Sequence, residues 1–541
     1  MHADFSRATF RPARHYAAVI AQQGRVQLDA DVNEQAAIQL HQARATAVDL
    51  IGQHGGPLGA GGDTGFRIQY HGATPDLDTL EIHGGHYYVD GILCDATRPT
   101  AGDAVPDEAA AAADDDSEAD SGTPGPAPTA FWDYWDQPDG YRDKEKPGDR
   151  LPTDYPFVVY LDVWERAVTA AEDPALREVA LGSAMPDTAA RRKVVWQVLP
   201  LAYATLGIEG AVPPPDDVRR AFERWAAKES APKARLAVRS ERPDHADEDP
   251  CLVRPDAAYR GPENQLYRIE IHAGGAAGTA GEPGDATFKW SRENGSVVFP
   301  VDEVDGTWIQ LATLGQDAKL DLDVGDHVEL VDTAYASRLE PLPLLRVEEL
   351  DLPGRRVRLS AEPDRHVGRR AELHPYLRRW DHRAAPKQRG RTAALRGGAV
   401  RVEEGGWLPL EDGVEVYFEK GGTYRTGDYW TVAARTATGD VDWPVNAARK
   451  PLLCHPAGIV HHYAPLALVK GEGSPVDLRL GFSPLATRTV PPADAASLAA
   501  ERRAHEEELA AEGAAPDTGR SQTTAAAEAA VDDSAAGEGN A

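Results

Sequence analysis

The chain has 541 residues, of which 42% are hydrophobic and 27% charged, and its formal net charge is −30. This length exceeds one hydrophobic core, so the composition predicts an ordinary globular protein of two to four domains. The acidic charge opposes binding to nucleic acid and to anionic membranes, and the 50 glycines and 41 prolines favour short strands over long helices.

Cysteine usage and the N-terminal residues predict the compartment. Cys94, Cys251 and Cys454 are far apart, so they give no disulfide framework and suit a reducing cytoplasm. No signal peptide is expected, because the N-terminus lacks an apolar run. No stretch approaches the roughly 20 apolar residues that span a bilayer. We expect a soluble protein made in the cytoplasm, which leaves the cell by lysis or within a larger object.

Residues 1–52 are predicted to form an extended arm followed by an amphipathic helix. Apolar residues recur in the helical part at steps of three and four, which gives one stripe. This stripe consists of Ala36, Leu40, Ala43, Ala47 and Leu50.

Asp29, Asp31, Asn33 and Glu34 alternate at the start of this helix as the first ligands of a calcium loop do. An EF-hand loop that begins at Asp29 needs glycine at position six and glutamate at position twelve. Those positions hold Glu34 and Leu40. We therefore interpret the stretch as a helix start, with Asp31 or Asn33 as the cap and Glu34 in the first turn.

The fold class is predicted as mainly β (α+β overall), with several small β-sandwich or barrel domains. Residues 53–100 and 130–260 form the first β-rich domain, in which Asp90-Gly91 marks a tight turn. Between them, residues 101–129 contain no Lys or Arg and few large apolar residues. They predict a disordered acidic insertion.

Residues 261–390 predict a central small β-barrel or sandwich, because short strands recur there about every ten residues. Within this region "ATFKWSRENGSVVFPV" predicts a hairpin that turns at Asn294-Gly295. Residues 391–490 predict a C-terminal β domain. Residues 491–541 predict a helix followed by a disordered acidic tail.

The sequence offers no recognised catalytic motif: the G-x-S-x-G elbow, the P-loop, H-E-x-x-H and the dinucleotide fingerprint do not occur. The stretch "CHPAGIVHH" gathers Cys454, His455, His461 and His462. Zinc ligands usually pair two to four residues apart at two separate places, and no second pair exists here. The stretch "LHPYLRRWDH" has no identifiable partner either. We predict no catalytic residues, no metal and no cofactor.

The eleven tryptophans fit either a core or a sugar-binding surface. Most of them lie within apolar strand patterns, which favours packing because each ring buries a large area. The residues predicted to form structural motifs are Trp164, Trp290, Arg292, Asn294, Gly295, Trp380 and Trp430.

Several long stretches occur together in this order: "FSRATFRPARHYAAVIAQQGRVQLDADVNEQAAI", "YYVDGILCD", "YLDVWERAVTAAEDPALREVALG", "FKWSRENGSVV", "HPYLRRWD", "LEDGVEVYFEKGGTYRTGDYWTVAART" and "HHYAPLAL". Over about residues 1–485 they resemble a family of uncharacterised proteins from phage-like contractile injection system and phage tail loci. The resemblance implies a structural or adaptor component of a tail-like particle, at the baseplate or fibre-attachment end. Relatives often carry a β-helix or other binding region after this module, and its absence here favours an adaptor over a receptor-binding protein.

The arm is predicted to dock onto a neighbouring subunit, since its aromatic residues have no long core segment of their own and extended arms commonly lock subunits together. The predicted docking residues are Phe5, Phe10, Tyr16, Arg25, Asp29, Asp31, Asn33 and Glu34. The expected partners are other subunits of the particle, assembled in the cytoplasm and released by lysis, with no nucleic acid and no membrane span.

Two alternatives of other classes stay open. A tail-associated polysaccharide-degrading enzyme would need a groove with two carboxylates about 5–10 Å apart. A carbohydrate-binding module would show a flat row of exposed tryptophans. The sequence contains no motif that predicts either feature.

Overall fold

The computed structural model describes residues 1–59, 62–72, 79–99, 131–182, 185–208, 212–241, 259–278, 284–315, 319–383, 395–471 and 473–483. The chain divides into two units, Met1–Phe482 and Ser483–Ala541, and the second unit is described only at Ser483. The predicted acidic insertion at 101–129, the predicted helix and tail at 491–541, and Cys251 lie outside the described residues.

Helices are few in the described part of the chain. The α-helices are α1 (Asp29–Ile51), α2 (Pro215–Ser230) and α3 (Thr333–Arg338). Short 3-10 helices occur at Pro12–Arg14, Pro147–Asp149, Pro174–Leu176, Val179–Leu181, Tyr203–Leu206 and Ala371–Leu373. Helix α2 starts with a proline followed by two aspartates, which suit the first turn of a helix because proline has no N–H to satisfy and the dipole favours anions.

Strands dominate the described residues, which confirms the mainly β fold class. In the first half of the chain they are β1 (His54–Pro57), β2 (Ile68–Tyr70), β3 (Leu80–His83), β4 (His86–Val89), β5 (Ile92–Asp95), β6 (Phe131–Asp133), β7 (Phe157–Val168), β8 (Arg191–Ala202), β9 (Leu236–Ser240), β10 (Gln265–Ala273), β11 (Gly275–Ala276) and β12 (Thr287–Ser291).

The remaining strands follow the Asn294-Gly295 turn. They are β13 (Val298–Asp305), β14 (Trp308–Leu311), β15 (His327–Val331), β16 (Leu345–Asp351), β17 (Arg356–Leu359), β18 (Tyr376–Trp380), β19 (Leu395–Arg396), β20 (Ala399–Arg401), β21 (Trp407–Pro409), β22 (Val414–Phe418), β23 (Thr423–Tyr424), β24 (Tyr429–Arg435), β25 (Asp440–Asp442), β26 (His462–Val469), β27 (Val476–Asp477) and β28 (Gly481–Phe482).

Three sheets share the first apolar core, and their strand orders are β28-β1-β4-β5, β2-β3-β6 and β27-β26-β7-β8. These sheets join strands that are far apart in the sequence, because β26 pairs antiparallel with β7 and β28 pairs parallel with β1. The β4–β5 turn places Asp90 and Gly91 at φ of 48° and 76°, so the predicted tight turn is confirmed. Helix α2 packs on the outer side of β7 and β26 through Val218, Ala221 and Phe222.

The second core lies between a six-stranded sheet of order β19-β20-β12-β10-β24-β25 and a three-stranded sheet of order β21-β22-β9. The third core fills a closed barrel of order β13-β14-β17-β16-β15-β18. A two-stranded pair, β11-β23, completes the described sheets.

The predicted hairpin about Asn294-Gly295 is wrong, although its turn exists. Asn294 and Gly295 have φ of 53° and 68°, as a tight turn requires. Strand β12 before the turn pairs with β10 and β20, however, while β13 after it pairs with β14 and β18. The turn therefore carries the chain from the six-stranded sheet into the barrel. Local residues fix the turn, whereas the two apolar cores decide which strands pair.

Candidate docking surface

The first ten residues, here called the arm tip, are seated on the body of the same chain. Asn294 Nδ2 donates hydrogen bonds to the carbonyl oxygens of Met1 at 3.0 Å and Ala3 at 2.8 Å. His2 Nε2 lies 2.7 Å from Glu270 Oε2, and Arg435 Nη2 donates to the Ser6 carbonyl at 2.9 Å. The arm tip is thus held by side chains of the turn and of the six-stranded sheet.

Acidic residues of α1 hold the next part of the arm tip. Asp29 accepts hydrogen bonds from Ser6 N at 2.9 Å and Ser6 Oγ at 2.6 Å. Burial alone would raise the pKa of Asp29, but these bonds lower it below its usual value. Glu34 Oε2 accepts from Thr9 Oγ1 at 2.6 Å. These carboxylates therefore bind the arm of their own chain, and the described residues contain no group of three or more possible metal ligands.

The start of α1 differs from the prediction. The helix begins at Asp29 with Leu28 as its N-cap, so neither Asp31 nor Asn33 is the cap. Asp31 instead occupies the third position of the helix, where its Oδ2 accepts a hydrogen bond from Leu28 N at 3.3 Å. Glu34 lies beyond the first turn. The predicted start of the helix was wrong because a carboxylate can act at a helix start in two ways. It can be the N-cap residue itself, or it can lie in the first turn and accept the N–H of the N-cap residue.

Residues 11–28, here called the arm loop, extend over the surface between the arm tip and α1. All of them are exposed except Val19, which is half-buried and donates its N–H to Gln35 Oε1 at 2.7 Å. The exposed side chains include large apolar ones: Tyr16 is 56% exposed, Ile20 83% and Val26 85%. The described residues therefore leave more than half of each of these side chains uncovered, and exposed apolar clusters often mark protein interaction sites.

Helix α1 extends this apolar surface. Of its 23 residues only Ala30 and Ile38 are buried, while Val32 and Leu50 are exposed. The helix is attached by Arg44, which donates to both carboxylate oxygens of Glu165 at 3.0 and 2.6 Å. Of the predicted apolar stripe, the described residues leave Ala36, Ala43 and Leu50 exposed and half-bury Leu40 and Ala47.

The predicted docking residues are thus divided among the arm tip, the arm loop and helix α1. Phe5 and Phe10 are half-buried on their own chain, and the Phe10 ring lies 5.6 Å from that of His41. Tyr16 and Arg25 are exposed on the arm loop, and Asn33 is exposed on α1.

Buried charged residues lie beneath the arm tip, where the six-stranded sheet meets the barrel. Lys289 Nζ is 2.8 Å from both carboxylate oxygens of Glu329 and 3.2 Å from Glu270 Oε1. Arg268 Nε donates to Glu270 Oε2 at 2.5 Å. Burial alone would raise the pKa of both glutamates, but Arg268 lowers the pKa of Glu270 and Lys289 that of Glu329. These ion pairs connect β10, β12 and β15.

Neutral groups complete the hydrogen bonding of this cluster. Trp380 Nε1 and Tyr335 Oη donate to Glu329 at 3.0 and 2.9 Å. The adjoining cavity measures about 90 Å³. It has room for roughly three waters, whereas pockets for small ligands usually measure about 300–1,000 Å³. Carboxyl groups with lowered pKa stay ionised at neutral pH, so they are poor general acids, and the arrangement suits a structural joint.

The histidines of "CHPAGIVHH" pair with separate carboxylates. His461 Nδ1 lies 2.8 Å from Asp162 Oδ1, and His462 Nδ1 lies 2.7 Å from Asp90 Oδ2. Because one ring contacts strand β7 and the other contacts the β4–β5 turn, the two histidines do not share a carboxylate partner. Partial burial raises the pKa of the Cys454 thiol, which disfavours the thiolate that metal binding requires.

The predicted structural-motif residues lie in the cores or at their junctions. Arg292 donates to both oxygens of Glu411 at 2.6 Å, and its own N–H donates to Asp381 Oδ2 at 2.8 Å. A side chain at Gly295 would meet the His2 ring 2.8 Å from its Cβ, so the turn needs glycine beneath the arm tip. All four tryptophans of this set, Trp164, Trp290, Trp380 and Trp430, are buried.

A family model matches residues 1–206 and 210–540, and its description is a family of unknown function (DUF6519). The chain belongs to DUF6519. No curated protein and no solved structure matches it. The description of DUF6519 names no activity. Within its described residues, helices of sufficient length and apolar character to cross a membrane do not occur.

The buried cluster is the part of this DUF6519 chain that the sequence did not predict. In "LYRIEIHAG", Arg268, Glu270 and His272 alternate with apolar residues, which is typical of a strand with one solvated face. The structure buries both faces of β10, because the arm tip and the barrel cover the polar one. The feature of the sequence that could have predicted this cluster is the opposite charge of residues on neighbouring strands. Glu270 of β10 and Lys289 of β12 are direct cross-strand partners.

Proposed function

We propose that this chain is a non-enzymatic structural or adaptor component of a phage-tail-like contractile injection particle, at the baseplate or fibre-attachment end. The observation that carries the proposal is the arm loop, which presents Tyr16, Ile20 and Val26 to solvent while both of its ends are anchored. A neighbouring subunit that covered these side chains would gain apolar burial. The contractile-particle context rests on the resemblance of the long sequence motifs.

Anchoring of the arm loop supports a docking role. The arm tip is bound at Glu270, Asn294 and Arg435, and the loop returns to the first residues of α1. A segment held at both ends loses less conformational freedom on binding than a free tail, so more of the burial energy appears as affinity. The exposed side of α1 next to it enlarges the surface that a partner can cover.

The non-enzymatic part of the proposal is supported by the buried cluster. Its glutamates are ionised and paired with Lys289 and Arg268, and its cavity is small. Within this proposal the particle is assembled in the cytoplasm and released by lysis.

The direct test is the composition of purified particles. Contractile particles sedimented from a producing strain should contain this chain in constant ratio to the sheath subunit when measured by quantitative mass spectrometry. Loss of the chain from the particle fraction under conditions that keep sheath, tube and spike together would reject the role.

A further inference from the structure

A second surface has a charge opposite to that of the whole chain. A groove of about 700 Å³ lies between residues 135–146, helix α3 with the residues after it, and residues 364–370. Seven Lys and Arg side chains line it against three carboxylates. In a protein of net charge −30 this concentration of positive charge is a local feature that needs its own explanation.

One wall of the groove is the loop 364–370, which carries Arg365, Arg369 and Arg370. The loop is fixed at its centre, where Val367 is buried and Gly368 N donates to Asp332 Oδ2 at 2.9 Å. Gly368 has φ of 76°, and a Cβ there would lie 2.6 Å from Leu330, so glycine is required. The three arginines therefore project from a firmly held backbone.

The opposite wall is organised by Asp149, which is 4% exposed. Its carboxylate accepts from Arg338 Nη1 at 2.7 Å and Nη2 at 3.0 Å, and from Asp143 N at 2.8 Å. Burial alone would raise the pKa of Asp149, but the Arg338 bonds lower it, so the carboxylate stays charged. This contact fixes the segment that carries Lys144 and Lys146 against helix α3.

The groove's cations fall into two groups. In the first group Arg142 and Arg338 both pair with Asp149. Lys146 lies 3.3 Å from Glu340, and Arg369 lies 2.8 Å from Glu362. A second group has no ion pair with any described residue and is exposed, and it consists of Lys144, Arg365 and Arg370. The first group builds the walls, and the second leaves uncompensated positive charge facing the groove.

We infer that this groove binds a compact polyanion that carries several phosphate, sulfate or carboxylate groups. The ligand's charges meet Lys144, Arg365 and Arg370, whose N–H groups form charge-assisted hydrogen bonds with anionic oxygens. The groove volume matches that of small-ligand sites, roughly 300–1,000 Å³. The ligand is compact because a long polyanion would extend beyond a groove of about 700 Å³. This binding is independent of the arm and of the proposed particle role.

The test is calorimetric titration of the full chain with two compact probes, tripolyphosphate and a heparin tetrasaccharide, at low and moderate salt. The test variant K144E/R365E/R370E reverses the three unpaired groove charges. The matched control R224E/K228E/K470E makes the same change in net charge at exposed residues outside the groove, which also lack an ion pair with described residues. Circular dichroism confirms that all variants are folded.

Wild type should bind at least one probe with an affinity that falls as salt rises, and the identity of that probe tells phosphate from acidic sugar. The groove variant should bind at least about 100-fold more weakly, because each charge-assisted hydrogen bond contributes roughly tenfold. The control should stay within about threefold of wild type. Failure of wild type to bind both probes at millimolar concentration, or an equal loss in the control variant, overturns the inference.

Discussion

His2 Nε2 lies 2.7 Å from Glu270 Oε2, so the second residue of the chain contacts a strand 268 residues further along. Burial and the charge of Arg268 lower the pKa of His2, and a neutral ring donates this hydrogen bond to the ionised carboxylate. The contact places the arm tip over the junction of the six-stranded sheet and the barrel. It also leaves the arm loop, rather than the arm tip, as the exposed part of the arm.

The Asn294 side chain should decide whether the arm tip stays seated. Asn294→Asp keeps the turn conformation and the acceptor near Arg268, but it removes both donors to the Met1 and Ala3 carbonyls. Losing these two bonds should weaken arm seating by about 1–3 kcal/mol. Hydrogen exchange in residues 1–10 should rise by roughly tenfold or more while exchange in the barrel stays unchanged. The exposed control Asn446→Asp should show neither effect, and unchanged exchange in the Asn294 variant would contradict the assignment.

Lys289 should be essential to the buried cluster. Lys289→Met leaves Glu270 and Glu329 buried without their shared cation, which should cost about 3–5 kcal/mol of unfolding free energy at pH 7. Denaturant unfolding measures this loss, and Lys289→Arg, which keeps the charge, should recover much of it. A Met variant as stable as wild type would show that the ion pairs do not hold the sheets together.

The stability of wild type and that of Lys289→Met should depend differently on pH. In wild type the pKa of both glutamates is lowered by Lys289 and Arg268 against the effect of burial, so their contribution is complete above about pH 4.5 and is lost below it. In Lys289→Met burial dominates and raises the pKa of Glu329, so the folded state takes up a proton first. The stability difference between the two proteins should therefore shrink from pH 7 to pH 4.5.

Buried neutral histidines should make the fold sensitive to mild acid. Burial lowers the pKa of His54 and of His272 to about 4. Between about pH 6.5 and 4 the unfolded chain binds protons at these rings and the folded chain does not, so stability falls as pH falls. The loss at pH 5 should be about 2 kcal/mol for each ring, with no change above pH 7.5.

Thermal unfolding of His272→Gln measures this effect, because glutamine cannot take up the proton. Its loss of stability between pH 7 and pH 5 should be about 2 kcal/mol smaller than that of wild type. His366→Gln, at an exposed site, should follow wild type. An identical pH response in His272→Gln and wild type would refute the role of this ring.

The sequence predicts those features that depend on neighbouring residues. Helix α1 follows from its helical spacing, the Asp90-Gly91 and Asn294-Gly295 turns from their tolerance of positive φ, and the barrel strands from their regular recurrence. Such local patterns do not predict which distant strands pair with each other. Strand β26 joins β7 across almost 300 residues, and β10 and β12 pair with strands after residue 395.

The candidate site shows the same division. An extended arm before helix α1 is predicted from residues that are close together in the sequence, whereas its docking onto a neighbouring subunit stays a prediction. The contacts of the arm tip with Asn294 and Glu270 cannot be predicted from local sequence patterns, because they join residues almost 300 positions apart. The groove is likewise assembled from residues 135–146 and 364–370, which no local pattern connects.

Incorporation of arm-loop variants into particles tests the docking proposal most directly. I20D/V26D places two carboxylates on exposed apolar positions of the arm loop without touching the core. The control V179D/V324D introduces the same two negative charges at apolar residues elsewhere that are 71% and 59% exposed. Each variant replaces the chain in a producing strain, and its amount in sedimented particles is measured against the sheath subunit by mass spectrometry.

The amount of I20D/V26D in particles should fall at least about tenfold while its soluble level stays normal, since burying an unpaired carboxylate in the interface costs several kcal/mol. The V179D/V324D control should be incorporated within about twofold of wild type. Wild-type incorporation of I20D/V26D would contradict the claim that the arm loop docks onto a neighbouring subunit.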